Sequence, residues 1–441
     1  MFDLGIEGGE VVGAGGRERL NLYVDAGRVA AAGPEREQAR ELVDASGLLV
    51  FPGMVDAHVH LMDDADPERE DFPSGTAAAA RAGVTTLIEH THAAPVISSD
   101  DLTAKRERLQ GRSHVDFGLA AHAWPDRLDA IDGVWRAGAS FVKAFTCTTH
   151  GLPGHDAAAL RRLFDQVAAS GAVCLVHAED ESLTARAEAE LRAAGRQDGG
   201  IVPLWRNLDA ELTALSVTAL LARRSGARVA AAHVSSPQAL ESADGLIAES
   251  CPQYLTLRAD EVEQHGAFRK FTPPARAADQ AGLDQMWQAL ADGQIHYVST
   301  DHAPSTPEHK RDGSIWDVHF GLPGLDTTFS VVLDGAAAGR VSYERVAEAY
   351  SEAPARLYGL WPDKGNLDAG AHADIVLVDP SERWQVRDQD VLSKAGWSPF
   401  AGRTLTGRAV RTYVRGQLAA ADGQVAAAPG AGRFVPGAGA R

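Results

Sequence analysis

The chain has 441 residues, 45% hydrophobic and 23% charged, with 42 Lys and Arg against 60 Asp and Glu and a formal net charge of −18. Those proportions belong to a globular protein with a large core, and the length allows one barrel with additions or two or three domains. The acidic balance argues against nucleic acid or an anionic membrane as partner, and the three cysteines, Cys147, Cys174 and Cys251, suggest neither a disulfide framework nor a CxxC zinc motif. No basic-plus-apolar leader opens the chain, and no apolar run reaches the roughly 18 residues needed to span a bilayer, so a soluble cytoplasmic protein is expected.

Residues 1–47 read as short strands with turns, as in Leu20-Asn-Leu-Tyr-Val-Asp25, with Gly8-Gly9 and Gly15-Gly16 as punctuation. From Leu48 onward, apolar runs alternate with Ala-rich helical stretches. Eight runs are expected as strands: Leu49–His58, Val84–Thr91, Val115–Ala123, Phe141–Cys147, Ala172–Ala178, Arg228–Ser235, Gly245–Cys251 and Ile295–Asp301. Helices are expected between them, among others at Ser74–Ala82, Asp156–Ser170, Asp209–Ser225 and Asp279–Ala291. This pattern predicts an α/β fold, a (β/α)₈ TIM-type barrel over residues 51–361. Strand texture returns in Ala373-Asp-Ile-Val-Leu-Val-Asp379 and Arg411-Thr-Tyr-Val-Arg-Gly416. Residues 1–50 and 362–425 are therefore expected to pair into one small β-sandwich. The Gly-, Ala- and Pro-rich residues 426–441 are expected to be a flexible tail or an arm contacting a neighbouring subunit.

Active sites of such barrels lie at the C-terminal ends of the strands. The first run ends in His58-Val-His60, whose alternate side chains point together. The fourth carries Lys143, the fifth ends Leu175-Val-His177-Ala-Glu179, the sixth Ala232-His233-Val-Ser235 and the eighth Ser299-Thr-Asp301-His-Ala-Pro304. Ligand-type side chains on five strand ends predict a metal centre. Lys143, buried beside a cationic cluster, should lose its proton. A neutral amine there either adds carbon dioxide to become an anionic carbamate or pairs with a barrel carboxylate, and the residues alone leave both open.

Several motifs in this order resemble the amidohydrolase superfamily, in its branch of dihydroorotases, hydantoinases (dihydropyrimidinases) and allantoinases. They are Pro52-Gly53, Asp56-Ala-His-Val-His60, Ser74-Gly-Thr76, Gly83-Val-Thr-Thr86, Lys143-Ala-Phe145, His177-Ala-Glu179 and His233-Val-Ser-Ser236. Further on come Cys251-Pro-Gln-Tyr-Leu255, Asp301-His-Ala-Pro304, Gly370-Ala-His-Ala-Asp-Ile-Val376 and Ser393-Lys-Ala-Gly-Trp-Ser-Pro-Phe400, so that the likeness runs to about residue 418.

The resemblance implies two divalent ions, zinc first, with manganese, cobalt or iron as alternatives. His58, His60, carboxylated Lys143 and Asp301 would hold one, and Lys143, His177 and His233 the other. It implies hydrolytic opening of a cyclic amide or ureide by a metal-bridging hydroxide, with Asp301 as general base and then acid. Glu179 and His302 are expected to orient ligands. A homo-oligomer, tetramer or dimer, is implied as well.

The substrate pocket departs from the family's patterns. Dihydroorotases place an Arg two residues after the HxH pair and an Asn beyond the second strand, where this chain has Met62 and His92. The loop between them carries Asp63, Asp64, Asp66, Glu68, Glu70 and Asp71 against Arg69 alone, which is expected to disfavour a carboxylate-bearing ring. Hydantoinases place a Tyr after the lysine, and Thr146-Cys-Thr-Thr-His150 has none. Lys143-Ala-Phe-Thr-Cys147 is nearer the allantoinase pattern, although Thr148-Thr-His-Gly-Leu-Pro153 departs from that too. One of His90, His92, His122 and His150 is a candidate to replace the tyrosine. Substrate contacts are expected from Met62, His92, Thr148 and His150, and the resemblance implies, by position in the family, further ones from Cys251, Gln253, Tyr254, Thr272, Pro323 and Gly324. The competing readings are a dihydroorotase-like or cyclic-imide hydrolase, another two-metal barrel hydrolase, and a non-catalytic scaffold, the last disfavoured because all six ligand positions are filled.

Overall fold

The computed structural model describes every residue except Asp64, in the acidic loop, and Arg441. The barrel strands are Met54–Val59, Val84–Glu89, Asp116–Leu119 continued by Ala121–His122, Val142–Phe145, Val173–His177, Arg228–Ala231, Ile247–Ser250 and Tyr297–Val298. Neighbours pair in parallel all the way round. The ring closes where the His60 amide donates to the His302 carbonyl (2.8 Å) and the Thr300 amide to Asp56 Oδ1 (3.0 Å).

The first expected run divides. Leu49–Pro52 joins the sandwich and Met54–Val59 the barrel. The break falls at Gly53, where a Cβ would lie 2.1 Å from Thr85 Oγ1, so only glycine lets the strands approach this closely.

Helices Phe72–Ala82, Ala157–Ser170, Leu208–Ser225 and Gln280–Ala291 start where an Asx side chain accepts an amide of the first turn, from Asp71, Asp156, Asn207 and Asp279. Strand alternation then sorts the chain into two layers. Phe141, Val173, Leu175 and Ala230 fill the barrel interior with Ala57, Ile88 and Tyr297. Val142, Ala144, Cys174 and Val176 face outward onto Leu160, Leu163, Phe164 and Leu215 of the covering helices.

The sandwich joins both ends of the chain. A seven-stranded sheet has Ile375–Gln385 between Thr404–Val414 and Leu49–Pro52. A four-stranded sheet of residues 2–7, 21–25, 28–33 and 39–44 packs on it through Leu4, Ile6, Leu22 and Val24 against Val50, Ile375, Leu377 and Tyr413.

The tail differs from expectation. Instead of hanging free, it lies on its own barrel. The Gly430 and Gly432 amides donate to the Ser113 carbonyl (2.8 and 2.9 Å), and on either side of the Phe434 bridge the Phe117 amide donates to the Arg433 carbonyl (3.0 Å) and the Val435 amide to the Phe117 carbonyl (2.8 Å). Its small residues serve close approach: a Cβ on Gly432 would stand 1.8 Å from the Val115 carbonyl oxygen. None of the described helices is long and apolar enough to cross a membrane.

Candidate functional site

Strand alternation places the expected ligands on the interior at one end of the barrel. His58, His60, Lys143, His177 and His233 are all buried, and the Asp301 side chain is 14% exposed. Asp301 Oδ1 lies 3.2 Å from His58 Nε2 and 3.4 Å from His60 Nε2. His177 Nδ1 faces His233 Nε2 at 2.9 Å, and Lys143 Nζ is 3.4 Å from His58 Nε2. The six side chains thus converge on one small volume.

Acceptor-only partners fix the imidazoles. Glu249 Oε1 takes the His58 Nδ1 proton (2.6 Å), the His90 carbonyl that of His60 Nδ1 (3.1 Å), and Glu179 Oε2 that of His177 Nε2 (2.7 Å). In each ring the remaining nitrogen turns its lone pair to the shared volume, as ligand histidines do. Nitrogen ligands on one tetrahedral zinc lie about 3.3 Å apart, close to the spacings here. The residues present therefore fit divalent ions. His90 also belongs to this group, its ring nitrogen lying within 4.8 Å of donors on His58 and His60.

Burial and the neighbouring Lys143 and histidines hold His58 and His233 well below the ordinary imidazole value, which keeps them neutral. Burial lowers Lys143 to about 8, against the opposing pull of Glu249 and Asp301. Burial acts to raise Asp301, but His58 and His60 outweigh it and leave the carboxylate ionised. Glu179 falls to about 2, because Arg206 (3.3 Å) and His177 overcome its burial. Cys147 also lies near His177, but burial pushes its thiol up to about 12, so it offers no thiolate.

Four residues with left-handed backbone sit here: Met62 (φ 55°), His150 (φ 54°), His233 (φ 38°) and Asp301 (φ 48°). Non-glycine residues adopt this region at a cost of order 1–3 kcal/mol each, so the surroundings hold these side chains against local preference.

A cavity of about 220 Å³ opens over the cluster. Of the expected substrate contacts, Met62, His92, His150 and Thr272 line it. The others do not. Pro252 starts a helix, Pro252–Thr256, that turns Tyr254 away to donate to the Pro273 carbonyl (2.8 Å) and Gln253 to the Thr300 carbonyl (3.4 Å). Cys251 is buried against Ser299, and Thr148 is exposed with its amide on Glu181. The Gly324 amide donates to His302 Nδ1 (3.0 Å), with Pro323 buried beside it. The His302 side chain accordingly braces that loop, while its backbone carbonyl accepts from the His60 amide (2.8 Å), and Glu179 stands against His177 as expected.

His90 and His122 lie beneath the cavity wall, with no hydrogen-bond partner on either ring nitrogen among the described residues. That leaves His92 and His150 to face a substrate.

Sequence reasoning missed Glu249, Arg69, Phe271, His319 and Phe320. Glu249 had a signal, being an acidic residue inside an otherwise apolar run. The loop's charge count misled about Arg69. Asp63 pairs with Arg112 (3.0 Å), Glu70 bonds Ser74 and Ser393, and Asp71 caps a helix, while Arg69 lines the cavity. The acidic groups whose partners are seen turn outward or into the fold, so their number does not describe the pocket.

The amidohydrolase family model matches residues 49–419. The chain is 34% identical to an allantoinase of Rubrobacter xylanophilus over 435 residues, covering 94% of each chain. It is 32% identical to a dihydroorotase of Halobacterium salinarum over 418 residues, covering 92% of this chain and 94% of the relative. An L-hydantoinase (dihydropyrimidinase) structure from Arthrobacter aurescens superposes with a TM-score of 0.93 at 32% identity, over 99% of this chain and all of that one.

Proposed function

The chain belongs to the amidohydrolase family, and from that premise we propose that it hydrolyses a five- or six-membered cyclic amide or ureide in the manner of hydantoinases and allantoinases. The observation that carries the reading is the convergence of His58, His60, Lys143, His177, His233 and Asp301 beneath one cavity.

We assign His58, His60 and Asp301 to one divalent ion, His177 and His233 to a second, and Lys143 to both as its carbamate. The carbamate forms when the neutral amine adds to carbon dioxide and releases a proton, and burial of Lys143 favours the neutral amine. Two such ions, zinc in our assignment, would supply a bound water of near-neutral pKa and Lewis-acid polarisation of the amide carbonyl.

The chain's own groups do the rest. Asp301, held ionised by His58 and His60, accepts the proton of the attacking water and delivers it to the ring nitrogen as the carbon–nitrogen bond breaks. The ring opens to a carboxylate and a free amine (from a cyclic amide) or ureide nitrogen (from a cyclic ureide). His150 takes the place of the absent tyrosine. Its Nδ1 lies 3.0 Å from the Thr149 hydroxyl, and with that hydroxyl as donor the Nε2–H is left to face the carbonyl oxygen.

The test is a ring-opening panel of allantoin, substituted hydantoins, dihydrouracil, dihydroorotate and a cyclic imide, with metal analysis on the same preparation. Loss of ring amide absorbance without release of a second molecule is expected for at least one ring. Metal-loaded protein that opens none would end the reading.

A further inference from the structure

Arg69 is 7% exposed and lies on the wall of the cavity that holds the convergent side chains. Its Nε donates to the Pro304 carbonyl (3.0 Å) and the Ser305 hydroxyl (3.1 Å), which fixes the plane of the guanidinium. Asp66 comes only to 3.7 Å, again at Nε. Among the described residues, neither outer nitrogen of the guanidinium has a partner.

Among the described residues, Asp66 is the one countercharge near Arg69, and it stands at Nε, away from the two outer nitrogens. Of the residues lining the cavity, only Asp301 is a carboxylate, and it is engaged by His58 and His60. The wall near Arg69 carries His319 and Phe320. Two buried lysines pin that segment: Lys310 Nζ donates to the carbonyls of His319 and Gly321 (both 2.8 Å), and Lys270 Nζ to those of Val318 (2.5 Å) and Trp316 (3.2 Å). Burial alone draws Arg69 down to about 10, with only Asp66 opposing it. Leaving the two outer nitrogens of a desolvated guanidinium unpaired is costly, and their planar fork suits the two oxygens of a carboxylate.

We propose that Arg69 is a specificity-determining residue and that the ring this enzyme opens carries a carboxylate substituent, which pairs with the two outer guanidinium nitrogens. This rests on the ring-opening reading above and narrows it to anionic rings. It also reverses what the acidic loop suggested, because the fold turns the one basic residue of the loop inward.

The test compares a ring acid with its neutral isostere, 5-(carboxymethyl)hydantoin against 5-(carbamoylmethyl)hydantoin, in zinc-loaded wild type, Arg69→Met and Arg69→Lys. Wild type should favour the acid by about tenfold or more in kcat/KM, chiefly through KM. Arg69→Met should lose that preference through a raised KM for the acid, and Arg69→Lys should keep part of it. Equal use of acid and amide by wild type overturns the proposal. So does an equal loss on both rings in Arg69→Met, which would make Arg69 a brace for the Pro304 turn or a holder of the product carboxylate common to both.

Calorimetric binding of the ring-opened N-carbamoyl-aspartate and N-carbamoyl-asparagine reads Arg69 independently of turnover. An aspartate preference present in wild type and absent in Arg69→Met supports the assignment even if neither hydantoin is turned over, an outcome that would count against the ring-opening reading alone. Equal affinities overturn it.

Discussion

Asp301 has two tasks in this account, holding a metal and moving a proton, and its setting suits both. The carboxylate stays ionised between two imidazoles, and its φ of 48° is imposed by the fold. Asp301→Asn keeps the shape and removes the proton acceptor, so turnover should fall by about 10²–10⁴-fold while the circular dichroism spectrum is unchanged. Near wild-type rates would remove Asp301 from its assigned role. At this scale the histidines and Asp301 were legible, because period-two alternation and the strand-end rule together say where they point. Arg69 was not, since the charge of a loop does not say which side chain turns inward. Tyr254 misled for a related reason: the helix starting at Pro252 rotates it off the site.

The element whose behaviour sequence composition misjudged is the tail. Gly, Ala and Pro without an apolar face read as mobile, yet glycine is also what lets a backbone lie directly on another. Phe434 packs on Phe117 with ring centroids 5.8 Å apart, and the flanking backbone bonds extend the contact. Phe434→Ala should cost about 1–2 kcal/mol, less than the 3–5 of a fully buried phenylalanine, because this ring is only half-buried. Differential scanning calorimetry would read this as a midpoint a few degrees lower, and removal of residues 426–441 should lower it further. An unchanged midpoint in both variants would show the contact to be energetically idle. The barrel strands, by contrast, were legible as elements, because strands covered on both faces are nearly continuous apolar runs. Only their ends moved, and Gly53 divides a run whose two halves serve different sheets.

Across the whole molecule, barrel, sandwich and tail meet at one buried ionic cluster. Lys364 Nζ bonds Asp116 Oδ2 (2.8 Å) on the third barrel strand and Asp374 Oδ2 (2.5 Å) beside the sandwich, while Arg415 and the Arg433 amide reach Asp116 Oδ1. None of these contacts was legible, since each partner comes from a distant part of the chain. Burial raises Asp116, but Lys364 and Arg415 outweigh it and hold its carboxyl below 3.8. A depressed carboxylate contributes stability that is present above its unfolded value and lost as pH falls through the folded one. The cluster should therefore loosen only below about pH 4. Lys364→Met leaves two buried carboxylates without that cation and should cost about 3–5 kcal/mol, moving the acid-unfolding midpoint to higher pH. The same acid midpoint in both proteins would count against the cluster as the junction.

The fold exists to bring six side chains to one end of the barrel, and the central claim is that together they hold two catalytic metal ions. The most direct measurement is a titration of chelator-stripped protein with zinc in bicarbonate buffer, following ring opening of a substrate identified by the panel. Activity is predicted to be absent without metal and to saturate near two equivalents per chain. Full activity in stripped protein, or no activity with two equivalents bound, would contradict the account.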